Sequence, residues 1–156
     1  MDCQIEKIVS GGQTGADRAG LDFAIDQGLT HCGWCPKGRR AEDGEIPSRY
    51  RLKETPSSNY VQRTEWNVRD SDGTIIFTLM ATLTGGSKKT AEFARHYGKP
   101  CLHLSAHSGA DPASELCVFV WSKGIKVLNV AGSRASKEPG VGAFVMQVPS
   151  KAGLVK

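Results

Sequence analysis

Apolar and polar positions along the chain alternate between two periods. Ile5 to Ser10 is an apolar run that stops at Gly11-Gly12, and from Ala16 to Gln27 the residues Ala19, Phe23, Ala24 and Gln27 recur at helical spacing. This predicts a strand, a tight loop and a helix. Thr30 to Trp34 reads as a short second strand. Pro36 to Asn59 is polar, is punctuated by Pro36, Pro47 and Pro56, and is long for a connection. Such loops are usually functional or disordered, so this one is a candidate substrate-covering segment. Tyr60 to Asp70 predicts a helix, and Gly73 to Leu79 (GTIIFTL) is apolar on both faces, as a buried central parallel strand requires.

The alternation then repeats. Thr84-Gly85-Gly86-Ser87 leads into a predicted helix from Lys88 to Tyr97, Lys99-Pro100 ends it, and Cys101 to Leu104 supplies a strand. Asp111 to Lys123 predicts a helix capped by Asp111 with Pro112 at its first position, ahead of a strand from Lys126 to Val130. A polar, basic loop from Ala131 to Gly140 and a helix from Val141 to Val148 close the pattern. Five strands alternating with helices predict a Rossmann-like, doubly wound, mostly parallel sheet with helices on both faces, in one domain spanning residues 1–156.

Bulk composition narrows the function. The length suits one core, and 18 glycines in 156 residues exceed the usual share of about 7%, which points to loops where backbone approaches a ligand. A net charge of +4 is too mild for a nucleic-acid-tracking surface and suits an anionic small molecule. No apolar run approaches 18 residues and the N-terminus carries no leader pattern, so neither a membrane partner nor export is expected and a cytoplasmic location is. Cys3, Cys32, Cys35, Cys101 and Cys117 are odd in number, and no disulfide framework is expected.

In such sheets ligands bind beyond the carboxyl ends of the strands, and three loops predicted there have unusual composition. The first, Ser10-Gly11-Gly12-Gln13-Thr14-Gly15-Ala16-Asp17-Arg18, opens a helix whose free N–H groups and dipole suit a phosphate, with Thr14 adding a hydroxyl. It is neither a dinucleotide fingerprint nor a P-loop, and the alternative is a plain glycine turn with Asp17 as an early-helix acid. The second, Thr84 to Glu92, places Lys88 and Lys89 in a first helical turn, where cations oppose the dipole unless an anion is bound. Gly85, Gly86, Ser87, Lys88 and Thr90 are its candidate contacts, and Glu92 is either ligand-facing or simply exposed. The third, Ala131-Gly132-Ser133-Arg134-Ala135-Ser136, with Gly132, Ser133 and Arg134 as candidate contacts, offers a guanidinium and two hydroxyls after the last strand, or is a flexible loop.

These segments and their surroundings resemble the family of putative molybdenum carrier proteins. The stretches that carry the resemblance are IVSGGQTGADRAGLDFAI, GWCPKGRRAEDGEIPSRY, ETPSSNYVQRTEWNVRDSDGTIIF, TGGSKKTAEFA, KPCL and LNVAGSRASKEPGVG, which together span nearly the whole chain. The family is similar to the wider lysine-decarboxylase-like Rossmann group, whose members bind nucleotides or their fragments. The resemblance implies a homo-oligomer and a ligand such as molybdenum cofactor (molybdopterin), and it points to Gly11, Gly12, Thr14, Gly15, Gly85, Gly86, Ser87 and Thr90. A relative in that group, the cytokinin-activating phosphoribohydrolase, carries Pro-Gly-Gly-x-Gly-Thr-x-Glu-Glu. Here Thr84 replaces the proline, Lys88 replaces the later glycine, and only Glu92 of the acids remains.

Smaller signals carry less. Cys32-Gly33-Trp34-Cys35 is half a zinc site without a second half, so strand-end packing is expected and no protein-ligated metal is. His103 and His107 read as surface residues, and Asp70 and Asp72 as turn residues. Lys37, Arg39, Arg40, Glu42, Asp43 and Glu45 form a mixed-charge stretch that either folds over an anion or pairs with itself. Arg63 and Asn67 share a helix face, where Arg63 either reaches a ligand or pairs with Asn67 or Asp70. The reading that follows is a carrier of a phosphorylated, nucleotide-like molecule. The alternative is a nucleotide-processing hydrolase, with Glu92 or Asp17 as base and Arg134 or Lys88 as charge stabiliser.

Overall fold

The structure is a computed structural model that describes residues 1–108 and 110–155; Gly109 and Lys156, which the single-domain expectation also spans, lie outside the described residues. Five parallel strands form the central sheet: β1 (Lys7–Val9), β2 (Thr30–Cys32), β7 (Gly73–Thr78), β8 (Cys101–Ser105) and β9 (Val127–Gly132), in the spatial order β2-β1-β9-β7-β8. All of β7 is buried, as its apolar run requires, and Ile75 and Phe77 face one side while Ile76 faces the other. Asn129 Nδ2 donates to Thr74 Oγ1 at 3.1 Å between register partners on β9 and β7, which pins the central pair. Read from β9 instead of β1, the order becomes 3-2-1-4-5, that of an ordinary doubly wound nucleotide-binding sheet, with its switch point between β9 and β7.

Three helices, α1 (Ala16–Asp26), α4 (Pro112–Lys123) and α5 (Val141–Ala152), pack side by side on one face, and α2 (Tyr60–Arg69) and α3 (Gly85–His96) cover the other. The main core joins Phe23, Leu116, Val141 and Val145 to Ile8, Phe77, Leu104 and Leu128. Asp111 caps α4 through the Ala113 N–H at 3.1 Å, ahead of Pro112, as its sequence signature predicts. Two helices exceed the expected bounds. Gly85 to Ser87 form the first turn of α3, where a glycine costs less than in a helix interior, and α5 continues through Pro149 to a left-handed Gly153.

The long polar stretch is not a lid. It holds β4 (Arg40–Ala41) and β5 (Gly44–Glu45), a two-residue hairpin pair, while β6 (Lys53–Glu54) pairs with β3 (Trp34–Cys35). Cys35, Ala41, Ile46 and Tyr50 form a small core of their own against Leu21 of α1. The Arg39 side chain gathers the carbonyls of Ile46, Pro47, Leu52 and Tyr50. A segment with its own core and its own backbone partners is anchored, and sequence polarity alone did not reveal this.

Other expectations change as well. Cys3 and Cys117 form a disulfide, with Cα atoms 5.1 Å apart, because the N-terminal segment lies against α4. His103 is half-buried, and its Nε2 meets Thr78 Oγ1 at 2.6 Å. Arg63 bonds neither Asn67 nor Asp70 but reaches Asp17. Asp72 accepts the N–H groups of Lys126 and Val127 at the far edge of the sheet, where a turn residue belongs. Among the described residues no helix is long and apolar enough to cross a membrane.

Ile5 N–H donates to the Leu154 carbonyl at 3.0 Å, so the two ends of the described chain lie side by side. A permutant that joins residue 155 to residue 3 by a short linker and opens the chain at Gly124, so that β9 comes first, is expected to fold. Its melting temperature should lie within about 10 °C of the parent's, measured by circular dichroism. Cys117→Ser is expected to lower unfolding free energy by about 2–4 kcal/mol in oxidising buffer, since a long loop is released. Urea titration with and without reductant checks this: reductant should weaken the parent and leave the variant unchanged.

Candidate functional site

A cleft of about 260 Å³ opens at the carboxyl ends of β1, β9 and β7, over the switch point. The loop after β1, the loop after β9, the start of α3 and one face of α2 build it, so segments far apart in sequence form one wall. Of the predicted residues, Gly11, Gln13, Asp17, Gly85, Gly86, Ser87, Thr90, Gly132, Ser133 and Arg134 line it. Gly12, Thr14, Gly15, Arg18, Lys88 and Glu92 do not.

The reason for this division is local. Gly12 and Gly15 have positive φ and face inward: a Cβ on Gly15 would lie 2.4 Å from the Ser133 carbonyl oxygen. Gly15 thereby allows the loop after β1 to press against the loop after β9, and Gly12 lets it meet Ile46 and Leu52. Arg18 is engaged by Asp43 and by the Gly12 carbonyl. Thr14 donates to Glu42 and accepts the Ala135 N–H, and Glu92 pairs with Lys89 at 3.7 Å on the exposed side of α3.

The two helix N-termini therefore differ from each other. At α1 the N–H groups of Thr14, Ala16 and Arg18 are already taken by Gln13 Oε1, the Ser133 carbonyl and the Gln13 carbonyl. The start of α3 has no side-chain cap and no acid in its first turn. Among the described residues nothing accepts from the N–H groups of Gly85, Gly86 or Ser87. These open donors and the dipole end face the cleft, and unlike α1, whose first turn carries Asp17, α3 has no acid there to oppose an anion.

Asp17 and Arg63 meet on the wall at 2.7 Å, with side chains only 6% and 11% exposed. Burial pushes the Asp17 carboxyl above its ordinary value, against the pull of the Arg63 guanidinium. Gly11 makes room for that guanidinium, because a Cβ there would lie 2.1 Å from Arg63 Nη1. The cleft's charged lining is Arg63, Arg134 and Lys137 against Asp17 alone. Arg40, Arg63 and Arg134 also gather around the Tyr60 ring, at 4.9, 5.4 and 5.5 Å from its centre. Gln13 Nε2 and Arg63 Nε are buried without partners.

Tyr60, Lys137 and Glu138 escaped the sequence reading. Glu138 accepts the N–H groups of Leu79 and Met80 at 2.8 and 2.9 Å, bracing the loop after β7 against the loop after β9. Lys137 donates to Thr84 Oγ1. Lys137 and Glu138 lie in the charged second half of the polar loop from Ala131 to Gly140, which is the signal they carry in the sequence. Asn67 clamps the Trp34 backbone through both ends of its amide. Cys35 packs in the small core, where burial pushes its thiol up, and among the described residues no three His, Cys, Asp or Glu side chains gather to hold a metal.

Glu42 fastens three segments. Its carboxylate accepts from Thr14 and from the Ser136 N–H and hydroxyl, while its own N–H donates to Gln13 Oε1. The Ser136 and Thr14 hydrogen bonds hold its carboxyl below the ordinary 4.5. A depressed acid adds stability above its unfolded pKa, and that stability is lost as pH falls through the folded value. Glu42→Gln is therefore expected to cost roughly 1 kcal/mol at pH 7. The difference from the parent should be full above pH 4.5 and close at more acid pH, as read by urea unfolding at each pH.

No protein of curated function matches the chain. The crystal structure of a protein named "putative molybdenum carrier protein", from Syntrophus aciditrophicus SB, superposes with a TM-score of 0.92 at 47% identity, covering 95% of this chain and 94% of that one. The profile of the circularly permutated YpsA SLOG family matches residues 8–152, and a permuted strand order is what the sheet displays. The chain belongs to the circularly permutated YpsA SLOG family.

Proposed function

We propose that this protein binds and carries a phosphorylated, nucleotide-like small molecule, with molybdenum cofactor as a leading candidate. The observation that carries the proposal is the pairing of an uncapped α3 with a cleft lined by three cations and one already neutralised carboxylate. An anion at α3 would satisfy the open N–H groups and relieve the clustered guanidiniums. Gly85, Gly86 and Ser87 would hold the phosphate, with Arg134 and Lys137 as counter-charges. Gln13, Thr90, Gly132 and Ser133 would shape the site.

The relative from Syntrophus aciditrophicus SB supports the molybdenum side of this reading by its name. The cleft lies just below the usual range of about 300–1,000 Å³ for small-molecule sites, which suits one ring system with its phosphate. The hydrolase alternative gains less support. Glu92 lies outside the lining and pairs with Lys89, and Asp17 is held by Arg63. A homo-oligomer and a cytoplasmic location remain part of the proposal, and there a reducing environment would keep Cys3 and Cys117 as thiols.

A thermal-shift screen with nucleoside phosphates and phosphorylated pterins tests it. A ligand at 100 times its dissociation constant is expected to add about 2.7 kcal/mol, a rise of roughly 5–10 °C. Chromatography should return the compound unchanged; a cleaved product would overturn the carrier reading in favour of the hydrolase. Arg134→Ala is expected to weaken binding about ten-fold, or 1.4 kcal/mol, while leaving the melting temperature of the free protein unchanged.

A further inference from the structure

A second chamber of about 310 Å³ lies beside the cleft, over the end of β7. The two share Thr84, Ser87, Ser133 and Lys137, so one wall serves both. That wall is where the anion-binding groups sit. The Ser87 hydroxyl is unpartnered among the described residues although the residue is only 7% exposed, and the position of a Cβ on Gly85 lies 3.8 Å from Lys137 Nζ.

From this placement we infer that the ligand does not end at its phosphate: a phosphodiester or pyrophosphate sits on the shared wall, and a second, hydroxyl-bearing group such as a sugar occupies the second chamber. The inference rests on the phosphate reading above and extends it. A terminal phosphate needs one chamber, whereas a wall with open space on both sides fits a phosphorus substituted on both sides. The second chamber's remaining surface suits a sugar. Thr78 is already held by the Met80 carbonyl and His103, but the Thr82 hydroxyl is open among the described residues, Thr84, which accepts from Lys137, can still donate, and each Glu138 oxygen, holding one N–H, has room for a second hydrogen bond. Met80, 62% exposed at the rim, supplies an apolar contact for the face of a ring.

Calorimetric titration with ADP against ADP-ribose, and GDP against GDP-mannose, tests it, because the members of each pair differ by the sugar and by the one terminal-phosphate charge that the sugar replaces, a loss that in a cationic cleft works against the sugar-bearing member. In the parent protein the sugar-bearing member of at least one pair is expected to bind ten-fold or more tightly than the bare diphosphate. Thr82→Trp and Met80→Trp place bulk at two exposed positions that line only the second chamber. Each should abolish the ten-fold preference and leave the diphosphate affinity unchanged. Equal affinity within both pairs, or variants that weaken diphosphate and sugar conjugate alike, would overturn the second chamber while leaving the phosphate site standing. If none of the four compounds binds, this inference is overturned, whereas the phosphate reading falls only if the phosphorylated pterins of the thermal-shift screen fail as well.

Discussion

Where the two helical layers reach over the top of the sheet, a buried carboxylate from α1 and a buried guanidinium from α2 meet at 2.7 Å. Neither charge would be stable there alone, since the loss of water around each costs several kcal/mol and only a close, well-oriented partner offsets it. The pair thus ties opposite faces of the sheet together above β1 and β9. It imposes conditions on its surroundings. Residue 11 must lack a side chain so that the guanidinium can pass, and the Arg63 guanidinium lies over the Tyr60 ring. The rest of the cleft is built around that fixed point.

Strand order then places the chemistry. The chain begins its sheet at β1, but the sheet is organised around β9, and the loop after β9 takes the position that the first loop has in an unpermuted nucleotide-binding fold. Gly132, with φ of +152°, lets this happen: a Cβ on it would lie 2.0 Å from the Phe77 carbonyl oxygen. With β9 pressed so closely on β7, Ser133 and Lys137 come to face the start of α3 across the switch point. The loop after β1 has the more phosphate-like sequence, yet it spends several of its N–H groups, those of Gly12, Thr14, Ala16 and Arg18, on its neighbours and acts as a brace. The uncapped α3 keeps its donors for something else.

Charged groups are divided in their use around this cleft. The acids near the cleft serve as fasteners: Asp17 holds Arg63, Glu42 joins Thr14 to Ser136, and Glu138 braces the loop after β7. The cations Arg134 and Lys137 stay at the opening, and only weak or neutral contacts hold them, Glu42 at 3.9 Å and the Thr84 hydroxyl. A cleft whose acids are engaged and whose cations are available would suit the anion proposed above.

Local order was legible in the sequence because it depends on neighbours in the chain. The periods gave β1, α1, α2, β7 and α4 nearly to their ends, the Asp111-Pro112 cap was visible, and the glycine-rich loops lie at the end of the sheet where the cleft opens. Partners across the fold were not legible, because pairing energies depend on distances that spacing does not encode. Nothing in the pattern links Arg63 to a carboxylate 46 residues away, Glu138 to the Leu79 N–H, or Cys3 to Cys117. Nor could composition tell an anchored polar segment from a lid, since the small core of Cys35, Ala41, Ile46 and Tyr50 exists only once Leu21 of α1 covers it. The sequence by itself determined which loops carry glycine, hydroxyl and charge. Only the tertiary structure decided which of those groups are consumed by the protein and which are left for a ligand, because a donor is free only when every nearby acceptor has been accounted for.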